Sequence, residues 1–190
     1  LVSSSAASDV YKRQILTPIL FEFIKKMNMK YKDLFFVFHS TQEHVHLLQK
    51  QLLDEGLKNC GAIADEKIKS HILKSSVFAV AKSGTISLEI CNSKIPSIII
   101  YKMGTINFFI VKMLVKVKFA NIINIAAGEE VIPELLQSKC NAKDIYNTVD
   151  KLMNDKTALE NQLNKTQSII SNFKTDKSSE IASSILKDYI

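Results

Sequence analysis

Val77-Phe78-Ala79-Val80-Ala81-Lys82-Ser83-Gly84-Thr85-Ile86-Ser87-Leu88-Glu89 joins an apolar run to a helical one through a short polar turn. The run at 77–81 has no polar alternation and predicts a strand buried on both faces. The helix after the turn reaches about Asn92. The neighbouring segments repeat the same alternation. A helix is predicted over 66–74 before the turn, and Pro96 afterwards opens the apolar strand Ser97-Ile98-Ile99-Ile100-Tyr101. A third helix is predicted over 106–115. Further upstream, Leu34-Phe35-Phe36-Val37-Phe38 is again a solid apolar run, expected as a strand covered on both faces. A polar helix over 42–55 follows it, closed by Gly56. The first helix is expected to start at Thr17 as N-cap with Pro18 in the first turn; Leu20, Phe21, Ile24 and Met27 then share one face. Strands that are apolar throughout and alternate with helices imply a parallel sheet covered on both sides, a Rossmann-like α/β layer. Right-handed crossovers then gather every strand-to-helix turn along one edge of that sheet.

The pattern changes after Asn121. Residues 121–128 (NIINIAAG) are expected as a loop and 130–137 as a short helix broken or begun near Pro133. Helical stretches follow over 142–153 and 157–173. A polar tail then ends in a small amphipathic helix carrying Ile181, Ile185 and Leu186. The last third is therefore expected to be all helical, without sheet partners. Three regions result: 1–14, 15–140 as the Rossmann-like lobe, and 141–190 as a helical segment. The opening LVSSSAASDVYKRQ carries its basic residues, Lys12 and Arg13, after a Ser/Ala run, the reverse of a secretory signal. It is expected to be an assembly scar rather than natural sequence.

Composition bounds the function. With 46% hydrophobic and 23% charged residues, 190 residues can bury a core, which excludes disorder and a disulfide-stapled miniprotein. A net charge of +6 suits phosphate-bearing ligands or an anionic surface but is too diffuse to name one, and no nucleic-acid partner is expected. Cys60, Cys91 and Cys140 are scattered and odd in number, which fits a reducing cytosol rather than a disulfide frame or zinc site. His44 and His46 lie two apart and point away from each other on a helix; no metal site is expected. The most apolar stretch, 108–119, is broken by Lys112, Lys116 and Lys118 and is too short to span a bilayer.

The chemistry concentrates at Ser83-Gly84-Thr85. A buried strand ending there aims backbone N–H groups and two hydroxyls at the sheet edge, and the following helix adds roughly half a positive charge. Gly84 allows close approach of a phosphate. Glu89, one turn on, can accept hydrogen bonds from a sugar's vicinal hydroxyls. The plainer reading makes Ser83-Gly84-Thr85 a helix cap and leaves Glu89 in water. The wider set favours a nucleotide-sugar pocket. Tyr101 and Lys102 bring a ring and a cation to the same edge, and Asn124, Glu130, Glu134 and Gln137 follow.

The run as a whole resembles the C-terminal half of the lipid-A-disaccharide synthases, bacterial glycosyltransferases of GT-B architecture. The resemblance covers about residues 17–149 and rests on ordered motifs. These are Ser83-Gly84-Thr85-Ile86-Ser87-Leu88-Glu89, Tyr101-Lys102, the basic-apolar stretch 108–119, and Asn124-Ile125-Ala126-Ala127-Gly128-Glu129-Glu130-Val131-Ile132-Pro133-Glu134-Leu135-Leu136-Gln137. The long last motif is the specific one. The resemblance implies transfer of 2,3-diacylglucosamine from UDP-2,3-diacylglucosamine to 2,3-diacylglucosamine 1-phosphate (lipid X), giving lipid A disaccharide 1-phosphate and UDP. By position, Ser83, Gly84 and Thr85 would meet the diphosphate and Glu89 the ribose. Asn124, Gly128, Glu130 and Gln137 would line the nucleotide or sugar side, and Tyr101 and Lys102 the pocket wall. It implies no cofactor and, without a D-x-D motif, no required metal.

Three departures limit what is carried over. The family's acceptor lobe, where its candidate catalytic carboxylates lie, is missing, as is its Pro-Gly-Ser-Arg turn; Ile123 also replaces a proline before Asn124. The chain is thus expected to be a donor-lobe fragment, inactive alone, with no catalytic residue assigned. A cytoplasmic place, peripheral contact with the inner membrane and a homodimer accompany the reading. A nucleotide-sugar-binding module without transfer is the alternative. A third reading lays the helix over 106–117, with Lys112 and Lys116 on one face, on an anionic membrane.

Overall fold

Ile99 sits at the centre of the molecule with no accessible surface, on a strand whose first four residues are all buried. The computed structural model describes residues 2–104 and 118–173, with side chains from residue 15. In chain order the elements are α1 (Val2–Lys30), β1 (Phe36–His39), α2 (Gln42–Asp54), β2 (Cys60–Ile63), α3 (Glu66–Ser75), β3 (Ala79–Lys82) and α4 (Ile86–Asn92). They continue as β4 (Ser97–Tyr101), α5 (Ile122–Ala127), β5 (Glu134–Leu136), α6 (Ala142–Asn154) and α7 (Lys156–Phe173). The helix expected over 106–115 and the amphipathic end near Ile181 lie outside the described residues.

Every strand pair is parallel, as the apolar strand–helix alternation requires. β1 pairs with β2, with Phe36 opposite Cys60; β3 pairs with β4, with Ala79 opposite Ser97; and β4 pairs with β5, with Ile99 opposite Glu134. Among the described residues the hydrogen-bonded ladders are two, β1-β2 and β3-β4-β5, rather than one continuous sheet. A shared core joins them: Phe36, Phe38 and Ala62 from the first pack with Val80, Ile98 and Ile100 from the second. Phe21 and Phe23 of α1 meet Phe38 and Phe36 edge to face, with ring centres 6.0 and 6.3 Å apart. The opposite face of the three-stranded ladder is covered by Ile90 and Cys91 of α4, Ile123 of α5 and Ile170 of α7. Helices on both sides of a parallel sheet make this a Rossmann-like α/β layer.

Four expectations are corrected. First, α1 starts at Val2 and carries Pro18 inside rather than at its start. Pro18 forfeits one backbone hydrogen bond, and the buried face around it (Leu16, Phe21, Ile24, Met27) keeps the helix continuous. Second, β1 is covered on one face only. Phe35 is 64% exposed and Val37 37%, because α3, which follows β2, buries none of its residues.

Third, residues 122–127 form a helix instead of a loop. The Asn121 side chain accepts the Ile123 N–H at its start, and Gly128 (φ 70°) ends it in the left-handed region. Fourth, 134–136 is a strand rather than a helix, so the last third does have a sheet partner. Pro133 lies just before it, and the Pro133 carbonyl accepts the Ile99 N–H. The strand β2 (CGAI) had no counterpart in the sequence reading. Gln162 of α7 completes the packing: its Oε1 accepts the Ser97 N–H at 2.8 Å and its Nε2 donates to the Ser97 carbonyl at 3.0 Å. A buried amide thereby extends the β4 ladder into a helix.

Candidate functional site

The parallel strands all deliver their carboxyl ends to one edge, and the residues that follow them there define the site. β3 ends at Lys82, and Ser83-Gly84-Thr85 turns directly into α4. Gly84 has φ 152°, a backbone conformation foreign to residues with a Cβ, and space around it is open. Ser87, buried, closes the turn by donating its hydroxyl (2.7 Å) and its N–H (3.2 Å) to the Gly84 carbonyl. Thr85 is exposed, and its side chain makes no capping bond. Among the described residues, the N–H groups of Gly84 and Thr85 donate to nothing. The turn therefore presents free donors beside an open backbone, the arrangement an anionic oxygen needs.

Ser83 is already committed: its hydroxyl donates to the Ala120 carbonyl at 2.6 Å. That bond ties the turn to the segment entering α5. The same segment is held from beneath by Glu134, whose Oε2 accepts the Ala120 N–H (2.8 Å) and whose Oε1 accepts the Asn121 N–H (2.9 Å).

Glu89 lies one turn along α4, with 46% of its side chain accessible. Its Oε2 meets Lys69 Nζ of α3 at 2.8 Å. Lys69 is only 12% accessible and also pairs with Glu66, which in turn contacts His39 Nε2 at 3.2 Å. Glu66 first and Glu89 second hold the Lys69 ammonium above its ordinary pKa, against the opposing cost of burial. The hydrogen bond from Lys69 holds the Glu66 carboxyl below its ordinary value. The chain His39–Glu66–Lys69–Glu89 thus runs along the carboxyl edge from the last residue of β1 to α4. Sequence reasoning missed His39, Glu66 and Lys69. The i,i+3 spacing of Glu66 and Lys69 was a visible signal, whereas their link to Glu89 depends on helix placement.

Tyr101 ends β4 half-buried, and Lys102 Nζ reaches the Cys140 carbonyl at 3.4 Å. Gln137, immediately after β5, accepts the Met103 N–H on its Oε1 at 2.9 Å. Its backbone sits at φ 52°, the left-handed region, unusual for a side-chain-bearing residue. Tyr101, Lys102 and Gln137 are therefore brought together where β4 and β5 end.

Asn124 is placed differently from the cleft lining expected of it. It is fully buried, accepting the Val131 and Ile132 N–H groups on Oδ1 (both 2.9 Å). Its Nδ2 donates to the Ile132 carbonyl (2.7 Å) and Glu134 Oε1 (2.8 Å). All its hydrogen-bonding positions are used within the chain. Gly128 ends α5, at the opposite end from Ala120 and Asn121. Glu130 is exposed, accepts the Glu134 N–H at 3.2 Å, and lines an open cleft of about 410 Å³ with Lys118, Phe119, Glu129, Glu134 and Leu136.

No group of three His, Cys, Asp or Glu among the described residues is arranged to hold a metal ion. No helix among them is long and apolar enough to cross a membrane.

Comparison with known proteins places this chain in a family. The model of the lipid-A-disaccharide synthetase family matches residues 2–187. Lipid-A-disaccharide synthase of Rickettsia typhi is 35% identical over 173 residues, covering 90% of this chain and 45% of that protein. The Rickettsia prowazekii protein of the same name is 34% identical over 173 residues, with the same shares covered. That of Sulfurihydrogenibium sp. is 33% identical over 170 residues, covering 85% of this chain and 43% of the relative. The chain thus spans a little under half the length of these curated relatives. With a family match over most of its length, the chain belongs to the lipid-A-disaccharide synthetase family.

Proposed function

We propose that this chain is the donor-binding half of a UDP-sugar-dependent glycosyltransferase of lipid A biosynthesis. The reaction is transfer of 2,3-diacylglucosamine from UDP-2,3-diacylglucosamine to 2,3-diacylglucosamine 1-phosphate, releasing UDP. The observation that carries the reading is the Ser83-Gly84-Thr85 turn at the carboxyl edge, with unused N–H donors and an accessible carboxylate one helical turn beyond.

In this reading the Gly84 and Thr85 N–H groups and the Thr85 hydroxyl take the diphosphate, and Glu89 accepts from the ribose hydroxyls. Donors already in place stabilise negative charge as it develops on the departing UDP without reorganising. Gln137 and Lys102 shape the neighbouring wall by fixing the chain at Met103 and Cys140. Glu130 borders the sugar side. Asn124 and Glu134 act indirectly, by holding the 120–134 segment against the turn. The base that deprotonates the acceptor hydroxyl belongs, in this reading, to the other lobe. Acylated substrates suit an enzyme working at a membrane surface, in this reading the cytoplasmic face of the bacterial inner membrane.

Titration of the chain with UDP, followed by calorimetry, tests the reading. Saturable binding that Glu89→Ala abolishes is the expected result. A chain that ignores UDP yet sediments with anionic vesicles would overturn it in favour of a membrane-surface role.

A further inference from the structure

Glu89 alone would be a poor ribose ligand. An accessible carboxylate on a long side chain samples many rotamers, and a ligand must bear the entropy of fixing it. The structure supplies a brace. Lys69 projects from α3 towards α4 and gives one N–H to Glu89 Oε2 at 2.8 Å and another to Glu66 Oε2. Its side chain is 12% accessible against 46% for Glu89, so the cation is the fixed partner and the carboxylate the one that faces ligand. Lys69 is itself anchored, because Glu66 lies in the first turn of α3 and is contacted by His39 Nε2 at the end of β1.

The charge balance points the same way. Two carboxylates, Glu66 and Glu89, share one ammonium, Lys69. A carboxylate offers about four acceptor sites, so among the described residues one shared ammonium leaves the pair short of donors. The deficit falls on Glu89, the member nearest the Ser83-Gly84-Thr85 turn in sequence and in the helix that follows it. A neutral donor pair such as a vicinal diol fills it without adding charge.

We propose that Lys69 is a positioning residue that holds the Glu89 carboxylate ready for the two ribose hydroxyls of the nucleotide. It rests on the donor-site reading above and deepens it, since it assigns discrimination between ribose and a sugar lacking those hydroxyls to an α3–α4 ion pair. Lys69 touches neither ligand nor reacting atoms. Its effect is transmitted through Glu89 alone, and that is what makes it separable from a general stabilising role.

The experiment measures Kd for UDP and for 2′,3′-dideoxy-UDP on the whole chain, with wild type, Lys69→Gln, Lys69→Arg and the double variant Lys69→Gln/Glu66→Gln. The double variant removes the unpaired Glu66 carboxylate, so a folding defect from exposed like charges does not confuse the comparison. Melting curves establish that each variant is folded. Lys69→Gln is expected to weaken UDP about three- to tenfold while leaving the dideoxy analogue unchanged, so that the preference collapses. The double variant should show the same collapse, and Lys69→Arg should restore part of the preference. Equal weakening of both nucleotides, or a UDP preference that survives Lys69→Gln, overturns the positioning role while leaving the donor site standing. If wild type binds neither nucleotide, or both equally, the ribose reading of Glu89 fails first and the role of Lys69 falls with it.

Discussion

Asn124 and Glu134 are bound to each other at 2.8 Å with almost no contact with solvent, and between them they fix both ends of the segment that closes over α5. Glu134 takes the Ala120 and Asn121 N–H groups, and Asn124 takes those of Val131 and Ile132. Glu134 thus accepts from three donors, two of them backbone N–H groups. Asn124→Ala would strip partners from two buried backbone N–H groups and one from the carboxylate. It should therefore cost about 2–4 kcal/mol of stability. Urea unfolding checks this, and a variant of near wild-type stability but weakened UDP binding would return Asn124 to the nucleotide side of the cleft.

Two glycines near the site obey different constraints. A Cβ on Gly84 would meet nothing within 4 Å, so the obstacle to substitution is its φ of 152°. Gly84→Ala should cost about 1–3 kcal/mol, and the turn would relieve that strain by rotating its N–H groups out of line. UDP affinity should fall with stability. Gly128, at φ 70°, is a helix C-cap in the region that Asn also tolerates. Gly128→Asn should leave both melting temperature and UDP binding close to wild type. A loss of UDP binding there, with stability intact, would give Gly128 the ligand contact that its place at the far end of α5 argues against.

How much of this was legible beforehand depends on which interactions do the deciding. Ser97-Ile98-Ile99-Ile100-Tyr101 is a buried strand in sequence and in structure, because burial on both faces leaves no polar alternation to mislead. The Ser83-Gly84-Thr85 turn was legible for the same reason, lying between an unbroken apolar run and a helical one. Glu134-Leu135-Leu136 was not: three residues carry no period, and their strand depends on the edge that β4 offers. Cys60-Gly61-Ala62-Ile63 is weaker still, four residues with a glycine among them and no run of large apolar side chains. Asn124 reads from the sequence as cleft lining and sits buried on backbone partners, since a polar residue reads alike whether it binds ligand or backbone. The partnership of Lys69 with Glu89 was invisible because it joins residues of separate helices.

Acid should act on the fold through Asp150. This α6 carboxylate takes Lys30 Nζ at 2.6 Å and the Tyr31 hydroxyl at 2.7 Å, tying the end of α1 to α6. The bond from Lys30 first, and that from Tyr31 second, hold its pKa below the ordinary 3.8. A carboxyl whose folded pKa is depressed stabilises the fold above its unfolded pKa and loses that contribution as pH falls towards the folded value. The melting temperature of wild type should therefore exceed that of Asp150→Asn by a constant margin at neutral pH. The margin should shrink once pH drops below 3.8. A gap that stays constant down to the acid limit would show that the bonds from Lys30 and Tyr31 add nothing in solution.

The cysteines report on whether the two faces of the sheet open in the native state. Burial pushes the thiols of Cys60 and Cys91 up to about 11, and it also raises that of Cys140, against a lowering influence from Lys102. At pH 8 a thiol of that kind is ionised to about one part in a thousand, and the thiolate is the reactive form. Cys91 and Cys140 are in addition 1% and 0% exposed, one in each core cluster, while Cys60 is partly accessible. Iodoacetamide at pH 8 should thus label Cys60 first and slowly. Labelling of Cys91 and Cys140 should rise together with urea, following global unfolding. Early labelling of Cys140 alone would locate a local opening where Lys102 meets the Cys140 carbonyl, at the carboxyl edge between β4 and β5. That wall of the site would then be a moving part, and UDP should slow the reaction of Cys140 without changing that of Cys91.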